Sequence, residues 1–168
     1  MKIENLLLFA TKPWARLSTL ALTMVLFTGC AGLKEVQISS SPAMRNASIQ
    51  VDVVGSTASN RGTVEGVPVS KYFQSGNAIR QGLQAKAMRF GSDQPPTQSI
   101  TSDDPIWRGW ISSKAVSIIV MADVPGVFDD LPGEADPRRK ILPLSGKGAP
   151  KGIVHLEIYQ GGLRVVTP

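Results

Sequence analysis

The feature that most restricts the fold is an apolar run at residues 116–121, Val-Ser-Ile-Ile-Val-Met. A strand formed by this run is apolar on both faces, apart from one serine. Such a strand is stable only when both of its faces are covered. The run therefore predicts a central strand in a layered domain.

Other segments predict shorter strands and many turns. Residues 48–54 alternate between β-branched and polar side chains, which is typical of a half-buried strand. Gly161 and Gly162 separate two β-rich runs and predict a hairpin. The remaining strand candidates are residues 67–73, 86–90, 141–144, 153–159 and 163–166. Residues 55–66 and 92–102 are polar and turn-rich, and are expected to be loops.

Two short helices are expected between the strands. One covers residues 76–84 and has Asn77 as its cap, and the other begins at Asp104 and Pro105, which suit an N-cap and a first turn. Together these elements predict a mainly β protein. The expected architecture is a two-layer antiparallel β-sandwich of about seven short strands with one or two short helices.

The first thirty residues have a different pattern. Lys2, Lys12 and Arg16 precede an uncharged, largely apolar run at residues 17–28, which is 12 residues long. A bilayer-spanning helix needs roughly 20 apolar residues. A basic start followed by a short apolar run is typical of a secretory signal peptide. An uncleaved membrane anchor is the alternative.

The apolar run ends at Gly29 and Cys30, and it resembles the lipobox of bacterial lipoproteins. This resemblance implies cleavage between these two residues and transfer of diacylglycerol, with palmitate among its acyl chains, to the Cys30 thiol. We expect residues 1–29 to be a cleaved signal peptide, residues 30–47 a lipidated tether with a short strand at 36–38, and residues 48–168 the β-sandwich. Lipid on Cys30 would hold the protein on a membrane.

The chain has a single cysteine, so no disulfide can form within it. Acylation would also protect a lone thiol in an oxidising compartment. Ala31 stands where an aspartate would favour retention in the inner membrane. The sequence therefore predicts the outer membrane, on its periplasmic face.

The net charge of +5 does not predict nucleic acid binding, because part of the basic excess lies in the leader and the rest is scattered. No catalytic, metal or cofactor site is predicted. His155 is the single histidine and lies in a strand candidate, without a nucleophile motif elsewhere. Calcium binding by the acids of residues 129–136 is an alternative, although their spacing is not that of an EF-hand.

Residues 123–140 form the most unusual segment, with apolar side chains among acids and a basic end. An exposed loop with an apolar tip suits a protein partner. The candidate partner-binding residues are Val127, Phe128, Leu131, Arg138 and Arg139. The alternatives are that Phe128 and Leu131 fold back onto the sandwich, and that the arginines pair with Asp129, Asp130 or Glu134.

Trp107 and Trp110 lie three residues apart in the second helix, which is a spacing typical of core residues. The alternative is that they line a sugar-binding surface. Combined with the acids, that alternative gives the second functional hypothesis: a glycan-binding protein of the cell envelope, or an enzyme acting on glycan or peptidoglycan.

The chain also resembles the outer-membrane lipoprotein subunit of the type VI secretion membrane complex. The resemblance rests on Cys30, the early strand at residues 49–54, the proline-containing strand that ends at Tyr72, and the hairpin at residues 153–166 close to Pro168. It implies a transthyretin-like sandwich with an added helix. It also implies a loop that contacts the periplasmic domain of an inner-membrane partner. The first hypothesis is therefore a non-enzymatic, membrane-anchored docking adaptor.

Overall fold

The computed structural model describes residues 32–166. The strands are β1 (Leu33–Ser40), β2 (Ile49–Thr57), β3 (Ala85–Phe90), β4 (Thr97–Thr101), β5 (Ala115–Ala122), β6 (Arg139–Pro143), β7 (Gly152–Tyr159) and β8 (Gly162–Val166). The helices are α1 (Arg61–Gly66), α2 (Val69–Tyr72), α3 (Ala78–Gly82) and α4 (Pro105–Ser112), with 3₁₀ turns at Pro42–Met44 and Gly133–Ala135. Sheet A has the order β4-β1-β7-β8, and sheet B has the order β3-β2-β5-β6.

The predicted fold class is confirmed. Two sheets pack around one main core, with eight described strands where about seven were expected, and four short helices where one or two were expected. The described strand pairs are antiparallel, except that β1 runs parallel to β7. Within residues 32–166, no helix has the length and apolar character needed to cross a membrane.

The prediction of a central strand over residues 116–121 is confirmed by β5, which pairs with both β2 and β6. Ile118 and Val120 belong to the core between the sheets, whereas Ile119 and Met121 belong to a second cluster with residues of the helices. All four side chains are fully buried. The strand is apolar on both faces because sheet A covers one face and helices α1–α3 cover the other.

The expected boundary between tether and domain at residue 48 is wrong, because β1 lies in the middle of sheet A. This strand pairs with β4 on one side and with β7 on the other. Val36 and Ile38 are fully buried in the core. The turn at Pro42–Met44 then leads into β2 and buries Met44. Polar residues between the buried positions made this segment look like a linker.

The prediction of a strand over residues 67–73 is also wrong, since Val69–Tyr72 form helix α2. Pro68 stands just before the helix, and its carbonyl accepts hydrogen bonds from the N–H groups of Lys71 and Tyr72 at 3.1 and 2.9 Å. Because proline suits both the start of a strand and the start of a helix, it could not distinguish the two.

Two elements replace loops that the sequence predicted. Residues 55–66 end in α1, and residues 92–102 contain the edge strand β4. Each of these elements buries one side chain, Val64 in α1 and Ile100 in β4. One buried residue leaves no periodicity to read, so the sequence alone could not reveal either element.

Helix α4 forms where the sequence predicts it. The carboxylate of Asp104 accepts the N–H of Ile106 at 3.0 Å and caps the helix, and Pro105 follows the cap. Trp107 and Trp110 are 2 % and 3 % exposed and join the main core. The helix thus closes one end of the sandwich. Ile111, the residue after Trp110, is half exposed.

A buried carboxylate ties the helical layer to sheet B. Asp52 of β2 is 1 % exposed and accepts hydrogen bonds from the Tyr72 hydroxyl at 3.1 Å and from Nε of Arg80 at 2.8 Å. Burial, followed by the proximity of Asp52, raises the pKa of Tyr72, so its phenol remains a donor. Helix α3, predicted with Asn77 as its cap, carries Arg80, and the Asn77 side chain accepts the N–H of Arg80 at 2.9 Å.

Candidate functional site

The strand registers define two ends of the sandwich. At one end Leu33 pairs with Gly152, and Thr57 pairs with Ala115. We call this end the N-terminal pole, because the described chain enters there at Gly32. The opposite end, the loop pole, carries the connections at residues 41–48, 91–96 and 123–138.

The 123–138 loop joins β5 to β6 at the loop pole and carries the predicted apolar tip. Val127 is 103 % exposed, and Leu131 is 43 % exposed. Phe128 is half buried and packs against the main core, with the Arg138 guanidinium 4.9 Å from its ring centre. Two of the three apolar residues therefore face solvent, while Phe128 anchors the loop.

Arg138 forms the base of the loop through a buried ion pair with Asp136. Its Nε and Nη2 atoms donate to the two carboxylate oxygens of Asp136 at 3.0 and 2.7 Å. The Arg138 backbone N–H donates to the same carboxylate at 2.9 Å. Asp136 is fully buried and Arg138 is 6 % exposed. Three hydrogen bonds on one buried carboxylate fix the return of the loop into β6.

Asp130 links the loop to helix α2 across 60 residues of sequence. Its carboxylate accepts hydrogen bonds from the Ser70 hydroxyl, from the Ser70 backbone N–H at 3.1 Å, and from Nη2 of Arg138 at 2.7 Å. The Ser70 hydroxyl, then its N–H, and then Arg138 lower the pKa of Asp130 from 3.8 to about 2. The loop is therefore held to helix α2 at a point between its two exposed apolar residues, Val127 and Leu131.

We expect the Asp130 carboxyl to titrate at about pH 2 in the folded protein, as followed by NMR of its side-chain carbon. A folded-state pKa below the unfolded value stabilises the protein above about pH 4, and this stabilisation is lost as the pH falls toward 2. Ser70→Ala should move the midpoint upward. Ser92→Ala, at an exposed serine of the same pole, should leave it unchanged. An unchanged midpoint in Ser70→Ala would contradict the assignment.

Arg139 points in the opposite direction, into the protein. It is fully buried and donates hydrogen bonds to the backbone carbonyls of Glu65 and Val67, and to that of Gly133 at 3.4 Å. Burial lowers its pKa. The prediction that Arg138 and Arg139 contact a partner does not fit this structure, because both side chains are used inside the fold. The alternative pairing of Arg138 with Asp130 is confirmed.

The other candidate residues have structural roles in the described part of the chain. A sugar-binding surface at Trp107 and Trp110 is ruled out by their burial. His155 lies half buried in β7, opposite Gln37 and Val166. Asp104 is a helix cap, as its position before Pro105 predicts. Residues 32–166 contain no group of three potential metal-ligating His, Asp or Glu side chains, and Asp130 and Asp136 are both bound to Arg138.

Two residues of the loop base were missed by sequence reasoning. Asp136 carried a signal: an Asp before a proline often accepts a backbone N–H two residues on, as it does here from Arg138. Ser70 carried none, because its partner Asp130 is distant in sequence. The predicted cleavage and lipidation residues, Gly29 and Cys30, lie outside the described residues.

Comparison with solved structures finds a similar fold in two proteins of type VI secretion systems. The Serratia marcescens protein Lip, a membrane-bound component of that system, is similar with a TM-score of 0.50 and 14 % identity, over 80 % of this chain and 96 % of Lip. The Pseudomonas aeruginosa lipoprotein TssJ1 is similar with a TM-score of 0.50 and 7 % identity, over 82 % of this chain and 97 % of TssJ1. No protein-family model matches the sequence, and no curated protein matches it. At these identities the likeness shows a shared fold.

Proposed function

We propose that this chain is a lipid-anchored lipoprotein of the bacterial envelope and a non-enzymatic docking adaptor of a type VI secretion membrane complex. Residues 1–29 are removed, Cys30 is acylated, and the β-sandwich stands on the periplasmic face of the outer membrane. The partner is the periplasmic domain of an inner-membrane subunit of the same complex. The fold shared with Lip and TssJ1 supports this proposal.

The observation that carries the docking role is the position and support of the 123–138 loop. It lies at the pole opposite Gly32, so it points away from a membrane bound at Cys30. Its tip exposes Val127 and Leu131, while Arg138, Asp136 and Asp130 hold its base. A preordered loop loses little conformational freedom on binding, and exposed apolar side chains can fill a pocket on a partner.

The competing hypothesis is a glycan-binding protein or an enzyme acting on glycan or peptidoglycan. Its aromatic surface is missing, because Trp107 and Trp110 are buried. Of its acids, Asp104 is a helix cap, and Asp130 and Asp136 are bound to Arg138 at the base of the loop. The docking adaptor needs neither group to be free.

Anchoring is tested first, by Cys30→Ser in the full chain. We expect the variant to take up no radioactive palmitate and to leave the membrane fraction, because serine lacks the thiol that receives lipid. The wild-type protein should label and remain with the membrane. A wild-type protein that keeps residues 1–29 and a free Cys30 thiol would refute the anchoring proposal.

Docking is tested with a photo-crosslinking amino acid at Val127 in cells that express the secretion genes. We expect a crosslink to the periplasmic domain of the inner-membrane subunit, and none from Gln160, an exposed control position at the same pole. Val127→Asp should weaken this binding at least tenfold, or by about 1.4 kcal/mol. Its free energy of unfolding should change by less than about 0.5 kcal/mol, because the side chain is fully exposed. If Val127→Asp bound the partner as tightly as the wild-type protein does, the tip of the 123–138 loop would not be the docking site.

A further inference from the structure

We infer that the N-terminal pole is a surface that binds the headgroups of an anionic bilayer, and that it seats the domain directly on the membrane. The inference rests on the proposed acylation of Cys30. It goes beyond anchoring, because it assigns lipid contact to residues of the folded domain itself.

The first step is the distance between the anchor and the fold. Gly32 is already held by the sandwich, since its carbonyl accepts the N–H of Gly152 at 3.1 Å. Leu33 is 7 % exposed and begins β1. Cys30 is two residues before Gly32, and two residues reach at most about 7 Å. A lipid on Cys30 therefore brings this pole to the level of the headgroups.

The second step is the charge of this pole. Five of its exposed basic side chains make no salt bridge within residues 32–166, and they are Lys34, Arg108, Lys114, Lys147 and Lys151. A further exposed arginine, Arg61 after the end of β2, pairs with Glu65. The acids nearby are Glu35, the exposed Asp103, and Asp104, which is neutralised by Lys86 at 3.0 Å. A cationic surface within a Debye length of acidic lipids is attracted to them.

The loop pole has the opposite character. Its exposed acids include Asp93, Asp123, Asp129, Asp130 and Glu134, and its exposed basic residues include Arg45, Lys71 and Arg89. The charge difference between the poles favours the orientation in which the 123–138 loop faces away from the lipid. Acylation at Cys30 and the charge distribution therefore favour the same orientation.

Exposed aliphatic side chains lie among the basic residues of the N-terminal pole. Ile111 at the end of α4 and Ile153 near the start of β7 are 50 % and 52 % exposed. Val165 and Val166 are also exposed, at the end of β8 that runs toward this pole. Lysine next to solvent-exposed aliphatic residues is the composition of surfaces that lie in a membrane interface, where the long lysine stems cover apolar groups.

A cavity opens beside the point where the chain enters the fold. Its volume is about 530 Å³, and it is lined by Gly32, by Leu144 and Ala149, and by Pro150 and Lys151. A lipid headgroup that enters here meets aliphatic walls and an ammonium group.

Backbone strain marks one of the lysines. Lys114 is the residue with positive φ, +60°, that is not glycine in the described chain, and it lies in the turn between α4 and β5. Glycine or asparagine adopts this conformation at lower cost than lysine. A lysine kept in a strained turn that faces the membrane is consistent with use of its charge there.

The experiment uses the full, acylated protein in vesicles of phosphatidylethanolamine with or without phosphatidylglycerol. Because Cys30 carries the lipid, a cysteine introduced as Ser145→Cys or Ser92→Cys is the single free thiol for a fluorophore. Ser145 is exposed at the N-terminal pole and Ser92 at the loop pole. Strands of eight residues put the poles about 26 Å apart.

With nitroxide-labelled lipids in phosphatidylglycerol vesicles, we expect strong quenching at position 145 and little at position 92. The combined change Lys114→Gln, Lys147→Gln and Lys151→Gln should reduce quenching at position 145 at least twofold, as should omission of phosphatidylglycerol. The matched change Arg45→Gln, Lys71→Gln and Arg89→Gln removes the same charge elsewhere and should have no effect.

The possible outcomes separate this inference from the anchoring proposal. Equal quenching at positions 145 and 92 in a protein that carries palmitate would overturn the inference and leave anchoring intact. The inference would also be overturned if quenching at position 145 changed neither with the three lysine substitutions nor with omission of phosphatidylglycerol. The short link to Cys30 alone would then account for the contact with lipid. A protein without palmitate that stays outside the vesicles would overturn both proposals.

Discussion

Trp110→Ala is expected to lower the free energy of unfolding by about 3–5 kcal/mol. The indole is 3 % exposed, joins the main core and closes one end of the sandwich. Its Nε1 also donates to the carbonyl of Gln84 at 2.8 Å. Alanine removes this bond and leaves a cavity that flanking strands cannot fill without moving. Urea unfolding of the intact protein measures the loss.

The neighbouring residue provides the control. Ile111 lies on the same helix but is half exposed, so Ile111→Ala should cost less than about 1 kcal/mol. Gly55 tests the same contact from the other side, because a Cβ built there lies 2.2 Å from Cγ of Trp110. Gly55→Ala alone should cost about 1–3 kcal/mol, and less when combined with Trp110→Ala. Additive losses would refute direct packing of the two residues.

Asp136→Ala is expected to lower the free energy of unfolding by about 3–5 kcal/mol, because it leaves the buried guanidinium of Arg138 without its buried carboxylate partner. Arg138 would lose the two side-chain bonds and the backbone bond that it makes to this carboxylate, and would keep Asp130. Urea unfolding measures the stability, and amide hydrogen exchange over residues 123–138 should show earlier opening of the loop.

The control for this change is Asp129→Ala. Asp129 lies in the same loop, is exposed, and makes no salt bridge within the described residues. Its removal should alter stability by less than about 0.5 kcal/mol. If both aspartates gave the same small loss, Asp136 would not be the support of the loop.

The sequence predicted the elements whose signals are local. Three such signals lie within a few residues of sequence: the two-sided apolar run of β5, the Asp104-Pro105 start of α4, and the two glycines at the start of β8. The missed elements depend on partners that are distant in the chain. Strand β1 is central because β7 covers its other edge, and α2 is a helix that places Tyr72 over Asp52.

The same distinction applies to the candidate site. The exposure of Val127 and Leu131 agrees with the expected apolar tip, because their position among acids in a Pro- and Gly-rich segment already favours a surface loop. Arg138 and Arg139 were misjudged because arginine is mostly found at surfaces. Their burial requires Asp136 and the carbonyls of Glu65 and Val67, and the last two lie more than 70 residues away in sequence.

The parallel pairing of β1 with β7 has a consequence for when the protein can fold. The first strand finds this neighbour only after more than a hundred further residues have been made. Contacts this far apart in sequence form slowly, because a long loop must close before they stabilise anything. A nascent chain would thus remain unfolded in sheet A until almost all of it is synthesised, which suits the export across a membrane that the proposed function requires.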